Sequence, residues 1–357
     1  MTGKKRVATT RKVVQRAFGE ENRRRLLTEW FAANGQPTPA DAWKHVYRLL
    51  LWIDRSTGLA HCYESDKSQP GRHWYGRSLA FHSWVSDQLQ VGPSELGGQI
   101  DWLFRTAIAQ LSAAVEARRE KRLQQAVEQR ADYSADLPEP GDDAELFEII
   151  HEVLEPYLAA EVPDRVLRRL ARRITAHLKR ENKRKNLIGE GFEDVIGAMV
   201  GQLPNGSDYT IHRRIALDEL PGFYPPRGKD KVKKVDLGLV HGPTSRRVLV
   251  SAKWSIRADR EEQLATDFLE YERLESDGRR FEYVLVTNEF DPARLLAACT
   301  RRVGNKLLFD SVVHVNPRGV LTAYGGDPSG SAAEVVELVE DGRLSSLSDW
   351  LREFAPA

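Results

Sequence analysis

Cysteine is nearly absent: Cys62 and Cys299 are the only two among 357 residues. Two distant thiols build neither a metal knuckle nor a disulfide framework, so a reducing, cytoplasmic setting is expected. Long apolar runs are missing too. None approaches the roughly 18 residues that a membrane-spanning helix needs. The N-terminus, MTGKKRVATTRK, carries positive charge with no apolar stretch behind it, so neither a span nor a secretory leader is expected. No glycine-rich loop with the Lys-Ser/Thr pair of a phosphate cradle occurs, which predicts no nucleotide cofactor. Internal repeats are absent. Net charge is almost absent as well, with 53 Lys+Arg against 52 Asp+Glu and a balance of +1. Spread evenly, such a balance speaks against a nucleic-acid partner, but the charge is not spread evenly.

The rest is ordinary globular material, 41% hydrophobic and 29% charged, in a length suited to about two domains. Apolar residues at three- and four-residue spacing predict helices over 23–33, 40–53, 78–89 and 99–127. Residues 1–135 therefore read as a mostly helical N-terminal domain with no hairpin signal, with Trp74, Trp84 and Trp102 serving its core. The run ADLPEPGDD, ending at Asp143, is rich in proline, glycine and acid and marks a linker over 136–143. Residues 144–357 form the second domain. It opens with a helical pattern at 144–159 and a basic amphipathic helix at 163–186, with ten Lys/Arg and one acid between Arg165 and Lys185. Another helix is expected from about Gly191. Strands are predicted over 209–215, 232–240, 247–253, 281–287 and 311–315, with a helix at 260–274 and short helices in 333–354. The fold class is α/β (α+β), a mixed central sheet flanked by helices.

Positive charge gathers at 4–25, 165–185 and 227–260, and acid at 136–164 and beyond 261. The stretch from Lys234 to Arg260, KVDLGLVHGPTSRRVLVSAKWSIRADR, combines this charge with a chemical pattern. It reads as two strands joined by the turn HGPTS, with Asp236 on the first and Lys253 ending the second. On paired strands these side chains can meet at one end of the sheet. A carboxylate there can hold Mg²⁺, a hard cation that prefers oxygen. A neighbouring lysine can orient water and balance charge, which suits phosphodiester hydrolysis. On spacing alone, an Asp and a Lys on a hairpin are more often solvent-facing charges.

Ser251-Ala252-Lys253, followed by Trp254-Ser255-Ile256-Arg257-Ala258-Asp259-Arg260, resembles the CCGG-recognising type II restriction endonucleases of the PD-(D/E)XK nuclease superfamily. The resemblance covers about 30 residues and implies a restriction-endonuclease-like mixed sheet. Ser251 stands where the superfamily usually has an acid two residues before the lysine, and Val235 stands where a proline usually precedes the first acid. The resemblance also implies a displaced acid fourteen residues after the lysine. That position is Asp267, with Glu270 as the alternative metal ligand. It further implies a helical glutamate before the first strand in a Phe-Glu context, met by Phe192-Glu193. Glu190 is a neighbouring alternative, and either acid could equally be serving a helix N-terminus.

The implied site therefore has Asp236, Lys253, Glu193 and Ser251 in catalysis, and Asp236 with Asp267 or Glu270 on Mg²⁺. Arg257, Asp259 and Arg260 are the expected base readers. Arginine can bond guanine O6 and N7 together, and a carboxylate can accept from cytosine N4. Their bland alternative is a helix-start ion-pair cluster. Lys233 and Lys234, with Lys229 and Lys231, are expected on DNA phosphates, which supply affinity without sequence information. His61, His73 and His82 lack metal-ligand spacing, so no metal is expected there. Trp74 and Tyr75 are read as packing residues, while Arg72 and Arg77 could touch DNA flanks or a partner subunit. The expected partner is double-stranded DNA. Cutting both strands of a palindrome predicts a homodimer, or a homotetramer as in the resembled family. Two other readings stand beside the restriction enzyme: a structure-specific repair or recombination nuclease, and a non-cleaving DNA-binding protein with a decayed nuclease core.

Overall fold

The computed structural model describes residues 16–54, 57–62, 73–128, 152, 164–226, 232–256 and 258–354. Two compact units divide the chain. One joins Gly19–Ala107 with Ile188–Ala357, and the other takes Met1–Phe18 and Ile108–Leu187. The expected linker at 136–143 lies outside the described residues, as does the helical pattern at 144–159 save residue 152.

The elements of the larger unit begin with helices α1 (Glu20–Asn34) and α2 (Ala42–Leu50), a small antiparallel pair β1 (Ile53–Asp54) and β2 (Leu59–Ala60), and α3 (His73–Leu89). The β1–β2 pair corrects the expectation that this region has no hairpin. Gly58 takes a positive φ of 71° and donates its N–H to Asp54 O at 2.7 Å, closing a turn that neighbouring polarity did not announce. Two long helices follow, α4 (Trp102–Glu128) and α5 (Asp164–Gln202). The expectation of a fresh helix near Gly191 is thereby corrected: the helix runs on through Gly189 and Gly191. A Cβ on Gly191 would come within 3.1 Å of the Leu50 and Leu103 side chains, so close packing rather than helix termination uses this glycine.

The sheet has six strands: β3 (Tyr209–Ala216), β4 (Lys234–His241), β5 (Arg247–Lys253), β6 (Glu282–Thr287), β9 (Ser311–His314) and β10 (Leu344–Ser346). Their spatial order is β10-β9-β6-β5-β4-β3. β4 is antiparallel to both β3 and β5, while β5, β6, β9 and β10 run parallel. This is a mixed sheet within an α/β fold. Helix α6 (Ala258–Leu274) carries the chain from β5 to β6. Helix α7 (Pro292–Thr300) and a two-rung hairpin, β7 (Arg302–Val303) with β8 (Lys306–Leu307), lead to β9. Helices α8 (Pro317–Tyr324) and α9 (Ser331–Glu340) connect β9 to β10, and α10 (Leu347–Arg352) closes the described chain. Among the described residues no helix is long and apolar enough to cross a membrane.

The central strands explain themselves. In β5 every residue from Arg247 to Ala252 is buried, and in β6 every residue after Glu282 is. Strands covered on both faces read as continuous apolar runs rather than alternations. Arg247 is the buried charge within these two strands, at 3% exposure. Its guanidinium donates to Gly222 O at 2.9 Å, Arg279 O at 2.7 Å and Glu275 Oε1 at 2.7 Å. Gly222 has a φ of 85°, and a Cβ there would collide with the Arg247 guanidinium. The N-terminal helices join the same core. Phe81 of α3 meets Phe290, just beyond β6, at 4.6 Å between ring centres. Gly319 of α8 lets Trp84 approach, since a Cβ at this position would lie only 3.0 Å from the ring.

Candidate active site

The β4–β5 ladder ends at Leu237–Val250, although β4 stays paired with β3 as far as Lys234 and β5 with β6 as far as Lys253. The two strands therefore part, and the Asp236 carboxylate sits in the fork. Its Oδ2 accepts from the Ala252 N–H at 3.0 Å, the Ser251 hydroxyl at 3.3 Å and Lys253 Nζ at 2.6 Å. The Ala252 amide has no β4 backbone partner beyond the end of the ladder, and the carboxylate takes that place. The Lys253 side chain is 32% exposed and that of Asp236 21%, so the ammonium–carboxylate pair lies at the solvent boundary, where a substrate can reach it.

Glu193 projects from the last turns of α5 and is buried. Its carboxyl is pushed up to about 7, first by burial and next by the charge of Asp236, against the pull of Arg214 and Lys253. Arg214 donates to Glu193 Oε2 at 2.9 Å and to Asp194 Oδ1 at 2.7 Å. Arg23 of α1 takes the other oxygen of the fully buried Asp194, at 2.6 Å, and also pairs with Glu190 at 2.5 Å. Arg214 has a φ of 48° and is skipped in the β3–β4 register, which passes from Arg213–Leu237 to Ile215–Val235. A non-glycine residue in this conformation is uncommon, and here it turns the guanidinium toward α5. The consecutive arginines in the predicted strand 209–215 were the available signal, since they break its alternation.

The second acid lies on α6. Asp267 pairs with Lys233 at 2.8 Å. Its charge acts with that of Asp236 on the buried Tyr271 and Tyr283, whose phenols are raised chiefly by burial, and Ser251 hydrogen-bonds Tyr283. Asp236, Ser251, Lys253, Glu193, Asp267 and Lys233 thus share one neighbourhood. Glu270 is engaged on its own helix: Arg273 Nε donates to its Oε2 at 2.9 Å, and Arg273 holds its carboxyl below the usual range. Lys234 is exposed at the start of β4. Asp259 and Arg260 occupy the first turn of α6, and Arg257, Lys229 and Lys231 lie outside the described residues.

Among the described residues no group of three or more His, Cys, Asp or Glu is arranged to hold a metal. The donor chemistry still fits Mg²⁺. Two carboxylates, Asp236 and Glu193, repel one another at the fork, and a hard cation relieves that repulsion. Mg²⁺ is usually held by one or two carboxylates, with water and substrate phosphate completing its shell. His82 is structural: its Nδ1 accepts the Ala60 N–H at 2.8 Å and Nε2 faces Pro93 O at 3.3 Å. His61 stacks on Trp52 at 3.9 Å.

No family model matches this chain, and no curated protein does. Among solved structures, it is similar to the restriction endonuclease PspGI in complex with substrate DNA, at 12% identity and a TM-score of 0.35, over 85% of this chain and 96% of that one.

Proposed function

We propose that the protein is a Mg²⁺-dependent type II restriction endonuclease that makes double-strand cuts at a DNA site containing CCGG. The observation that carries this reading is Lys253 Nζ at 2.6 Å from Asp236 Oδ2, in the fork where β4 leaves β5. An acid and a lysine on adjoining strands, at a sheet end with a charge-crowded glutamate beside them, form a hydrolytic arrangement for an anionic ester. The order Ser251-x-Lys253, then Arg257-x-Asp259-Arg260, supplies the expectation of a G·C-reading segment.

Asp236 and Glu193 would hold the cation, with water and substrate phosphate completing its shell. Bound there, Mg²⁺ supplies positive charge against the scissile phosphate and makes water more acidic. Lys253 orients the attacking water and offsets charge that builds on the phosphate oxygens. Asp236 holds Lys253 in place and, through the Ala252 amide, fixes the end of β5. Arg214 keeps Glu193 turned toward the fork. Water adds to phosphorus as the phosphodiester P–O bond breaks, leaving a phosphate and a hydroxyl end. The resemblance predicts a cut before CCGG with 5′ overhangs. Lys233 exchanges Asp267 for a DNA phosphate as substrate arrives, and the exposed Lys234 takes another. Cutting both strands calls for two sites related by a two-fold axis, hence a homodimer or a homotetramer.

Digestion of a plasmid of known sequence with Mg²⁺, followed by sequencing of the ends, tests this reading. Discrete cuts at one CCGG-containing sequence are expected, and a random smear would sink it. The Lys233–Asp267 pair and Ser251 in the place of an acid favour one rival, a DNA-binding protein with a decayed nuclease core. That rival predicts a specific complex that Mg²⁺ never converts to product. A repair or recombination nuclease would instead cut by DNA structure, with no single sequence at its ends.

A further inference from the structure

One buried carboxylate has no part in the site described above. Glu289 follows β6 by two residues and is 1% exposed. Its Oε1 accepts the N–H groups of Phe290 at 2.9 Å and Asp291 at 2.8 Å. Its Oε2 reaches across to the segment after β5 and accepts the Ile256 N–H at 2.7 Å, with Arg294 Nη1 at 3.5 Å. Its own N–H donates to Thr287 Oγ1 at 3.1 Å, and its carbonyl faces His314 Nε2 at 2.9 Å. A second link runs alongside. The Asn288 N–H donates to Trp254 O at 3.0 Å, and Asn288 Oδ1 accepts from the buried Tyr47 hydroxyl at 3.0 Å.

The three residues between Lys253 and Arg257 are thus tied down at both ends, and the Trp254 and Ile256 side chains are buried at 8% and 2% exposure. Hiding a carboxylate is costly unless its oxygens are satisfied. Here three backbone N–H groups satisfy them, two from the loop of Glu289 itself and one from the segment opposite. A neutral loop could satisfy its own amides with a hydroxyl or a side-chain amide. What the two-oxygen carboxylate adds is the bridge between the segments. The bridged segment lies immediately before Arg257 and the first turn of α6, and misplacement by about 1 Å in such a constellation costs on the order of a hundredfold in rate.

We infer that Glu289 is a positioning residue: through the Ile256 N–H it clamps the Trp254–Ile256 segment, which in sequence leads into the run expected to read bases. The role in base reading rests on the nuclease function proposed above. Glu289→Gln is the discriminating variant. Its single carbonyl oxygen can keep the Phe290 and Asp291 amides, while its NH₂ meets the Ile256 N–H as donor against donor.

The test compares the native chain, Glu289→Gln and a control, Arg343→Gln. Arg343 donates to the Cys299, Phe309 and Asp310 carbonyls, none of which belongs to the clamp. Two quantities are read: amide hydrogen exchange in the 254–260 peptide without DNA, and the cleavage-rate ratio between the site the native protein cuts and its single-base variants. Glu289→Gln is expected to speed exchange at least tenfold and to lower the ratio at least tenfold, with kcat falling more than KM changes. Arg343→Gln should do neither. Glu289→Asp keeps the charge but is one methylene shorter, so it should show a smaller loss of the same kind, and it serves if the Gln variant does not fold. Native discrimination in the Glu289 variants, or an equal loss in Arg343→Gln, overturns the inference and leaves the nuclease reading standing. A native protein that cuts no DNA overturns that reading and the base-reading role with it, and the exchange result then decides the clamp alone.

Discussion

At the scale of single residues, the site turns on how Asp236 divides its bonds. One oxygen takes an ammonium, a backbone amide and a hydroxyl, so removing Lys253 leaves the carboxylate with structural partners. Lys253→Ala is therefore expected to lower single-turnover cleavage by about 10²- to 10⁴-fold. Because the ion pair is part-exposed, its loss should change stability by no more than about 1 kcal/mol, as measured by urea unfolding. Cleavage at the native rate would remove Lys253 from the chemistry. Asp236 and Lys253 were legible in the sequence because two strand patterns joined by a hairpin turn place them together without knowledge of the rest of the chain, whereas Ser251 was named only through the family resemblance. Arg214 and Glu289 were not legible. Arg214 acts through an unusual backbone conformation, and Glu289 through an amide 33 positions away in the sequence, and neither leaves a periodic trace.

Among the elements, the strands long enough to carry a pattern of their own were legible, buried or not. The buried run of β5 was expected over 247–253 and is found there, and β3, β4, β6 and β9 lie within a few residues of their expected bounds. β10 is three residues long and parallel to β9, too short for a pattern of its own. Helices α7 and α8 were passed over, yet each starts with a local signal, Asp291-Pro292 and Asn316-Pro317. The first residue caps the helix and the proline occupies its first turn, where no N–H is needed. Asp291 Oδ1 accepts from the Ala293 N–H at 3.1 Å and the Arg294 N–H at 3.3 Å. Asp291→Ala should cost about 1 kcal/mol, within roughly 0.5 to 2, in urea unfolding. A cost near zero would mean that the cap adds nothing here.

For the whole molecule, two linkages follow. The first is to salt. Lys234 is exposed where β4 enters the site, and a lysine on a DNA phosphate releases about one counterion. Lys234→Ala is expected to weaken binding uniformly across sequences and to flatten the slope of log K against log salt by about one unit. An unchanged slope in fluorescence-anisotropy titrations would remove Lys234 from the interface. The second linkage is to protons. His314 is fully buried. Its Nδ1 accepts the Asn316 N–H at 3.0 Å and its Nε2 faces the Glu289 carbonyl at 2.9 Å, an arrangement met by the neutral ring. Burial lowers its pKa from 6.5 to about 4. The unfolded chain then binds a proton that the fold refuses. The contribution is fully present above pH 6.5 and is lost as pH falls toward 4, amounting to about 2 kcal/mol between pH 7 and 5. His314→Gln should flatten that part of the stability profile, and an identical profile would refute the assignment.

The fork between β4 and β5 bears on how chains of this kind are found. Both chemical side chains sit at the open end of the hairpin, and the connecting turn, 242–246, sits at the closed end. Lengthening the hairpin by one rung adds a residue to each strand and two to the interval between acid and lysine, while the fork keeps its register. The interval in the sequence is thus a record of arm length, not of chemistry. A pattern search with a fixed acid-to-lysine gap would discard longer- and shorter-armed versions of the same site. One that instead requires the lysine to end a buried strand, with an acid one residue outside the last rung shared with its antiparallel neighbour, would retain them.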